Sequence, residues 1–210
     1  MKILVVAATR AELGGLCTAF NLPDGNFLQT TAFDLLITGV GMTATAFALG
    51  QHLSKSYELV LNLGIAGGYH KALSLGTIVN VVTDEFSELG AEDKDDFLSI
   101  SELGFGESKY HALQTIESDA IAVLPAVKGI TVNKVHGNID SINKVISRLQ
   151  PDTESMEGAA VFYCCKQLDI PCLQIRSLSN YVEQRNREAW KIGLAIKNLN
   201  DWAIEFLTNV

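Results

Sequence analysis

Short apolar, β-branched runs alternate along the chain with stretches whose apolar positions recur at helical spacing. The runs at 2–8, 35–38, 59–63, 77–83, 130–135 and 172–176 predict strands. Helical patterns fall at 10–20, 43–53, 141–149 and 158–167, and a closing helix is expected over 186–207 with both tryptophans, Trp190 and Trp202. Such alternation predicts an α/β fold, a three-layer sandwich whose central mixed, mostly parallel twisted β-sheet is flanked by helices. The length of 210 residues predicts one domain over 1–210.

In sheets of this kind ligands gather at the carboxyl ends of the strands. The residues to inspect are therefore 9–12, 39–41, 64–68, 135–137 and 177–180. One stretch breaks the rhythm. Residues 84–111 are glycine-dotted and acidic, with Asp84, Glu85, Glu88, Glu92, Asp93, Asp95, Asp96, Glu102 and Glu107. A long loop inside a domain predicts a lid or wall over a site, or a contact between subunits, against a plain solvated excursion.

Composition narrows the function. Apolar residues make up 48% of the chain and charged residues 19%, as in a globular protein. A formal charge of −8 disfavours nucleic acid and anionic membranes as partners. No apolar run reaches membrane-helix length, and residues 1–8 read as a buried strand rather than a signal peptide. The expected location is the cytoplasm. Cys17, Cys164, Cys165 and Cys172 lack C-x-x-C spacing and read as reduced thiols. His52, His70, His111 and His136 are scattered, and the acids of 84–111 lack a calcium-loop pattern. Neither a metal nor a cofactor is expected.

Two glycine clusters follow strands. Gly39-Val40-Gly41-Met42-Thr43-Ala44 has the G-x-G-x-x-A form of a dinucleotide turn, with Glu58 as a ribose acid. A Rossmann unit, however, places that turn after its first strand. The alternative is a tight turn that lets backbone approach a ligand. Gly64-Ile65-Ala66-Gly67-Gly68 predicts a small-residue floor for a ring or a sugar. It lacks the lysine and hydroxyl residue of a P-loop.

Three residues carry candidate chemistry. Glu12 and Glu157 each open a helical pattern, where an acid is often only a dipole partner. Glu157, however, is set among Met156, Gly158, Ala159 and Ala160. A carboxylate buried among such neighbours needs donors, and two vicinal ribose hydroxyls would serve. Asn180 offers both a donor and an acceptor, or is simply a turn residue.

Gly39-x-Gly41, Gly64-Ile65-Ala66-Gly67-Gly68, Met156-Glu157-Gly158-Ala159 and Arg176-Ser177-Leu178-Ser179, with Glu12 upstream, resemble the nucleoside phosphorylase/nucleosidase superfamily. The likeness is nearest to the methylthioadenosine/S-adenosylhomocysteine nucleosidases and the futalosine hydrolases among them. It implies that Glu12 is the general base on the attacking water, that Glu157 holds the ribose hydroxyls against Met156, and that Asn180 addresses the N7 edge of a purine. It further implies that Ala8, Ile65, Ala66, Gly67, Val135, His136 and Ser179 line the substrate pocket. The partners implied are a small nucleoside and water, with a homo-oligomer as the assembly.

The adenine-specific branch is expected to carry Asp at position 180. An amide there suits a 6-oxopurine, so the resemblance implies release of hypoxanthine, with an adenine-releasing nucleosidase as the alternative. A phosphorylase would want a cationic cradle, yet the chain reads Ala8-Thr9-Arg10-Ala11-Glu12 after its first strand. A non-catalytic nucleoside binder would not need Glu12. For the benzoate arm of futalosine, Phe86, His136, Lys134, Arg185 and Arg187 are the candidates.

Overall fold

The structure, a computed structural model, describes residues 1–94, 96–113 and 118–210. The chain runs through β1 (Ile3–Ala7), a 3₁₀ turn (Arg10–Leu13), α1 (Gly14–Ala19), β2 (Phe27–Leu28), β3 (Asp34–Ile37), α2 (Met42–His52) and β4 (Leu59–Gly68). It continues with β5 (Ile78–Phe86), β6 (Gly90–Asp93), β7 (Asp96–Ser99), β8 (Lys109–His111), α3 (Asp119–Ala122), β9 (Ala126–Thr131) and α4 (Ile139–Leu149). It ends with β10 (Thr153–Ser155), α5 (Gly158–Leu168), β11 (Cys172–Tyr181), a second 3₁₀ turn (Arg187–Ala189) and α6 (Ile192–Thr208).

Strand alternation builds the three layers. Ile3, Val5 and Ala7 of β1 and Leu59, Leu61 and Leu63 of β4 face one way, onto Leu16 of α1 and Leu199, Ala203 and Phe206 of α6. Leu4, Val6 and Val60 face the other way, onto Leu49 of α2 and Val161, Phe162 and Cys165 of α5. Each fully buried leucine here contributes about 2 kcal/mol of burial free energy.

The main sheet runs β10-β9-β5-β11-β4-β1-β3-β2, with β8 on β5. Pairing is parallel for β1–β3, β1–β4, β4–β11, β5–β9 and β9–β10. It is antiparallel for β5–β11, β4–β10, β2–β3 and β5–β8, so the sheet is mixed. Because β10 bonds to both β9 and β4, the strands β4, β11, β5, β9 and β10 close into a ring.

Several boundaries differ from the apolar pattern. Residues 64–68 are not a turn: they continue β4, held in register by Arg176 to Tyr181 of β11. Ladder partners supply there what glycine propensity does not. The same pairing keeps residues 177–180 inside β11. The helix expected over 10–20 breaks at Gly14, where the 3₁₀ turn passes into α1. Asn200 of α6 locks that junction, accepting from Leu16 N at 2.7 Å and donating to Glu12 O at 2.8 Å. The closing helix starts only at Ile192, because Lys191 N is tied to Ser179 O at 2.7 Å and Trp190 stays extended. Short strands β2 and β10 carry too few residues for a periodic signal.

Residues 84–111 are more ordered than the expected loop. Asp84 and Glu85 belong to β5, β6 and β7 form a hairpin, and β8 returns onto β5. Several of its acids are structural. Glu88 accepts from Asn133 N at 3.0 Å, and Glu85 accepts from Ser108 Oγ at 3.0 Å. Glu102 caps Ser99, whose N–H and hydroxyl hold its carboxyl below the usual range. Glu107 pairs with Lys166. Asp95 lies outside the described residues.

Candidate active site

At the end of β1, Thr9 and Glu12 form a capping box. Glu12 Oε2 accepts from Thr9 N at 3.0 Å and Thr9 Oγ1 at 2.9 Å, while Oε1 accepts from Ile65 N at 3.1 Å. The acid thus caps its turn and is also clamped onto β4.

Glu157 stands at the N-cap of α5 without capping it. Its Oε1 instead accepts from Gly41 N, the N-cap residue of the neighbouring helix α2, at 3.0 Å. Gly41 has φ +95°, a conformation that a side chain resists, and Gly39 before it has φ +86°. The first glycine turn therefore delivers a backbone N–H to an acid. Glu58, the ribose acid of the dinucleotide alternative, bonds to Lys2 N at the amino ends of β1 and β4, remote from this turn. Burial raises the Glu157 carboxyl above its usual range, Arg176 and Gly41 N–H pull it back, and nearby Glu12 raises it further.

Arg176 lies fully buried inside β11. A Cβ at Gly64 would sit 2.0 Å from Arg176 Nη1 and 3.1 Å from Glu12 Oε1, so only glycine lets the guanidinium cross β4 beside that carboxylate. Arg176 Nε and Nη2 have no hydrogen-bond partner among the described residues. Beneath them Asp84 accepts from Gln174 Nε2 at 2.7 Å and Thr131 Oγ1 at 2.8 Å. Complete burial pushes the Asp84 carboxyl up to about 6, against those hydrogen bonds and the Arg176 charge. Thr131 Oγ1 also accepts from Ala159 N at 2.7 Å, which pins the first turn of α5 and hence Glu157.

Near the end of β11 a register shift between Leu178 and Asn180 swings the asparagine to the level of Gly67. The Ser179 hydroxyl lies 3.2 Å from Ala66 O and 2.8 Å from Asn180 Oδ1, and Asn180 Nδ2 donates to Tyr181 O at 3.1 Å. On the other side of β4, Glu154 of β10 also pairs with Gly67. Glu154 Oε1 accepts from His136 N at 2.9 Å. Its Oε2 lies 2.7 Å from His136 Nδ1 and accepts from Tyr69 OH at 2.7 Å.

One cavity of about 410 Å³ gathers Ala8, Glu12, Ile65, Ala66, Gly67, Val135, His136, Met156, Glu157, Ser179 and Asn180. Phe86 is the exception among the expected pocket residues. It faces a second cavity of about 790 Å³ between α2, α5 and β8, edge-on to Tyr110. The direction of β5 places it there, because its side chain emerges on the α5 face. Of the groups considered for a carboxylate arm, His136 and Arg185 both line the first cavity, Arg185 5.5 Å from the Trp190 ring centroid. Lys134 and Arg187 are not among its lining residues.

Sequence reasoning passed over Glu154, Arg176 and Trp190 as site residues. Arg176 carried a signal nonetheless, as a charge within an apolar strand that must have a partner or a task, whereas Glu154 sits in the polar run Thr153-Glu154-Ser155 and carried none.

Residues 30–208 match the profile of the phosphorylase superfamily. A futalosine hydrolase of Streptomyces coelicolor is 30% identical over 226 residues, covering 96% of this chain and 93% of that protein. A futalosine hydrolase of Acidothermus cellulolyticus is 32% identical, covering 95% of this chain and 87% of that protein. In three dimensions, the native futalosine hydrolase of Helicobacter pylori strain 26695 superimposes with a TM-score of 0.81 at 15% identity, covering 100% of this chain and 98% of that one. With the mixed sheet and its flanking helices in agreement, the chain belongs to the phosphorylase superfamily.

Proposed function

We propose that this chain is one nucleosidase domain that hydrolyses the N-glycosidic bond of futalosine and releases hypoxanthine. The observation that carries the reading is the convergence of Glu12, Glu157 and Asn180 on one cavity, around the buried Arg176. The two full-length relatives named above are futalosine hydrolases.

N-glycoside cleavage builds positive charge on the ribose, as in O-glycoside hydrolysis. Glu157 spends Oε1 on Gly41 N–H, the Met156 backbone N–H also favours its charged form, and Oε2 is its other oxygen. That oxygen takes the ribose hydroxyls and stabilises the charge. Glu12, held in place by Thr9 N, Thr9 Oγ1 and Ile65 N, orients the attacking water and removes its proton. Asn180 hydrogen-bonds the N7/O6 edge of the departing base. General acid–base steps of this kind each contribute about 10²–10⁴-fold.

Water is favoured over phosphate because two carboxylates face the attack position. Arg10, the cation a phosphate would use, turns outward to Leu22 O at 2.9 Å and Asp24 at 3.3 Å. Arg185 beside Trp190 is the cation available for the benzoate arm. Assembly as at least a homodimer belongs to the same reading, supported by the exposed Phe47 and Phe105 near the second cavity. So does a cytoplasmic location; among the described residues no helix is long and apolar enough to cross a membrane.

The test is release of free base from futalosine, inosine and methylthioadenosine, followed by chromatography with and without phosphate. Hypoxanthine from futalosine at a phosphate-independent rate is expected. Preferential adenine release, or a rate that requires phosphate, would overturn the reading.

A further inference from the structure

We infer that Glu154 sets the tautomer of His136, and that the ring nitrogen left facing the cavity selects a purine carrying a proton on N1. The inference rests on the purine-nucleosidase reading above and deepens it to the choice of base.

Position is the first ground. Asn180 and Glu154 pair with the same residue, Gly67, from opposite neighbouring strands. A Cβ built on Gly67 would lie 3.3 Å from Asn180 Nδ2 and 3.4 Å from Glu154 Cγ. The two side chains therefore flank one small patch of cavity floor. Along a purine edge the order of groups is N7, the substituent on C6, then N1. With Asn180 on N7 and the C6 substituent, the His136 side meets N1.

Polarity is the second ground. Glu154 is 4% exposed and receives three donors: His136 N, Tyr69 OH and the His136 ring. An ionised carboxylate only accepts, so the proton of the neutral ring sits on Nδ1. His136 Nε2 is then an acceptor. It has no protein partner among the described residues, it is not sealed among the buried unpaired atoms, and its residue lines the cavity. A 6-oxopurine offers N1–H to that acceptor. Adenine offers a lone pair there, and two acceptors repel. Glu154 is a positioning residue in this scheme, since it acts through His136.

The decisive variant is Glu154→Gln. Its carbonyl can still accept from His136 N, while its NH₂ group donates to the Tyr69 oxygen and to His136 Nδ1. The same three bonds persist with two reversed, so the ring proton moves to Nε2. The cavity then presents a donor, which suits N1 of adenine and opposes N1–H of hypoxanthine.

Calorimetric titration of the purified protein with hypoxanthine, 1-deazahypoxanthine and adenine tests this, with ¹⁵N shifts of His136 reporting the tautomer. Wild type is expected to bind hypoxanthine about 10-fold more tightly than the 1-deaza analogue, the equivalent of one lost hydrogen bond. In Glu154→Gln the hypoxanthine-to-adenine ratio should fall by about 10-fold or more, with the proton on Nε2. His136→Phe, which keeps the volume of the ring, should bind hypoxanthine and its 1-deaza analogue equally. Equal binding of those two by wild type, or a Glu154→Gln variant weakened alike toward all three bases, would overturn the inference while leaving the purine reading in place. Failure of wild type to bind any of the bases would remove both.

Discussion

Glu154 and Asn180 stand on either side of Gly67, each paired with it in the sheet, one from β10 and the other from β11. They are 26 positions apart in the chain (180 − 154), with the whole of α5 between them. The ring closure of β10 onto β4 is what brings them to one level. On the proposed reading, the purine-reading end of the cavity is a property of strand register, and the hydrolytic end is a property of two acids at the starts of helical segments.

Glu12→Gln should lower turnover by about 10²–10⁴-fold, the usual size of a lost general base. The amide oxygen can still accept from Ile65 N, which keeps the 3₁₀ turn on β4. Nucleoside binding, read by calorimetry, should change little. Full turnover in this variant would remove Glu12 from the mechanism.

Asn180→Asp should move the preference toward adenine nucleosides. Asn180 Nδ2 donates to Tyr181 O, so an ionised Asp would set two acceptors face to face. The carboxyl is thereby driven to keep one proton, and N7 of a bound adenine competes with Tyr181 O for it. One mispaired buried hydrogen bond is worth about 1–3 kcal/mol, so the kcat/KM ratio should shift by roughly 10-fold or more. Unchanged selectivity in competition assays would sink the assignment.

Gly64→Ala should damage both stability and activity. The added methyl would fall 2.0 Å from Arg176 Nη1, so the fully buried guanidinium would have to shift away from Gly64. Overpacking of this kind costs about 1–3 kcal/mol. Chemical denaturation should show that loss, and turnover should fall further than substrate affinity because Glu12 loses its neighbour.

Asp84 makes stability depend on pH. Its carboxyl is raised from an ordinary 3.8 to about 6 by burial. The folded protein thus binds this proton more tightly than the unfolded chain. The associated stability is fully present below pH 3.8 and is lost as the pH rises through about 6. Its size is on the order of 2–3 kcal/mol. Glu157, also raised, contributes with the same sign. Thermal unfolding followed from about pH 4 to about pH 7 should show this slope reduced in Asp84→Asn. An identical slope in the variant would exclude Asp84 as its source.

The layers were legible in the sequence because burial follows from periodicity. The near-continuous apolar runs at 2–8 and 59–63 were enough to predict buried strands, and Ile3 to Ala7 with Leu59 to Leu63 are covered on both faces. Of the candidate residues only Glu157, an acid among small apolar neighbours, stands out locally. Taken alone, Glu12 reads as a dipole partner and Asn180 as a turn residue, and both were singled out through the family resemblance.

What the sequence by itself determined was the alternation of the longer apolar runs with helical patterns, and hence the layers, while the family resemblance singled out the acids and the amide. The tertiary structure alone decided which of the remaining polar residues join them. Glu154 became a partner of His136 only because β10 pairs with two strands, Arg176 entered the site only because Gly64 lets it cross β4, and Phe86 left it because β5 aims it at α5. Propensity and periodicity act over a few residues, whereas these placements depend on ladder registers between strands distant in the chain.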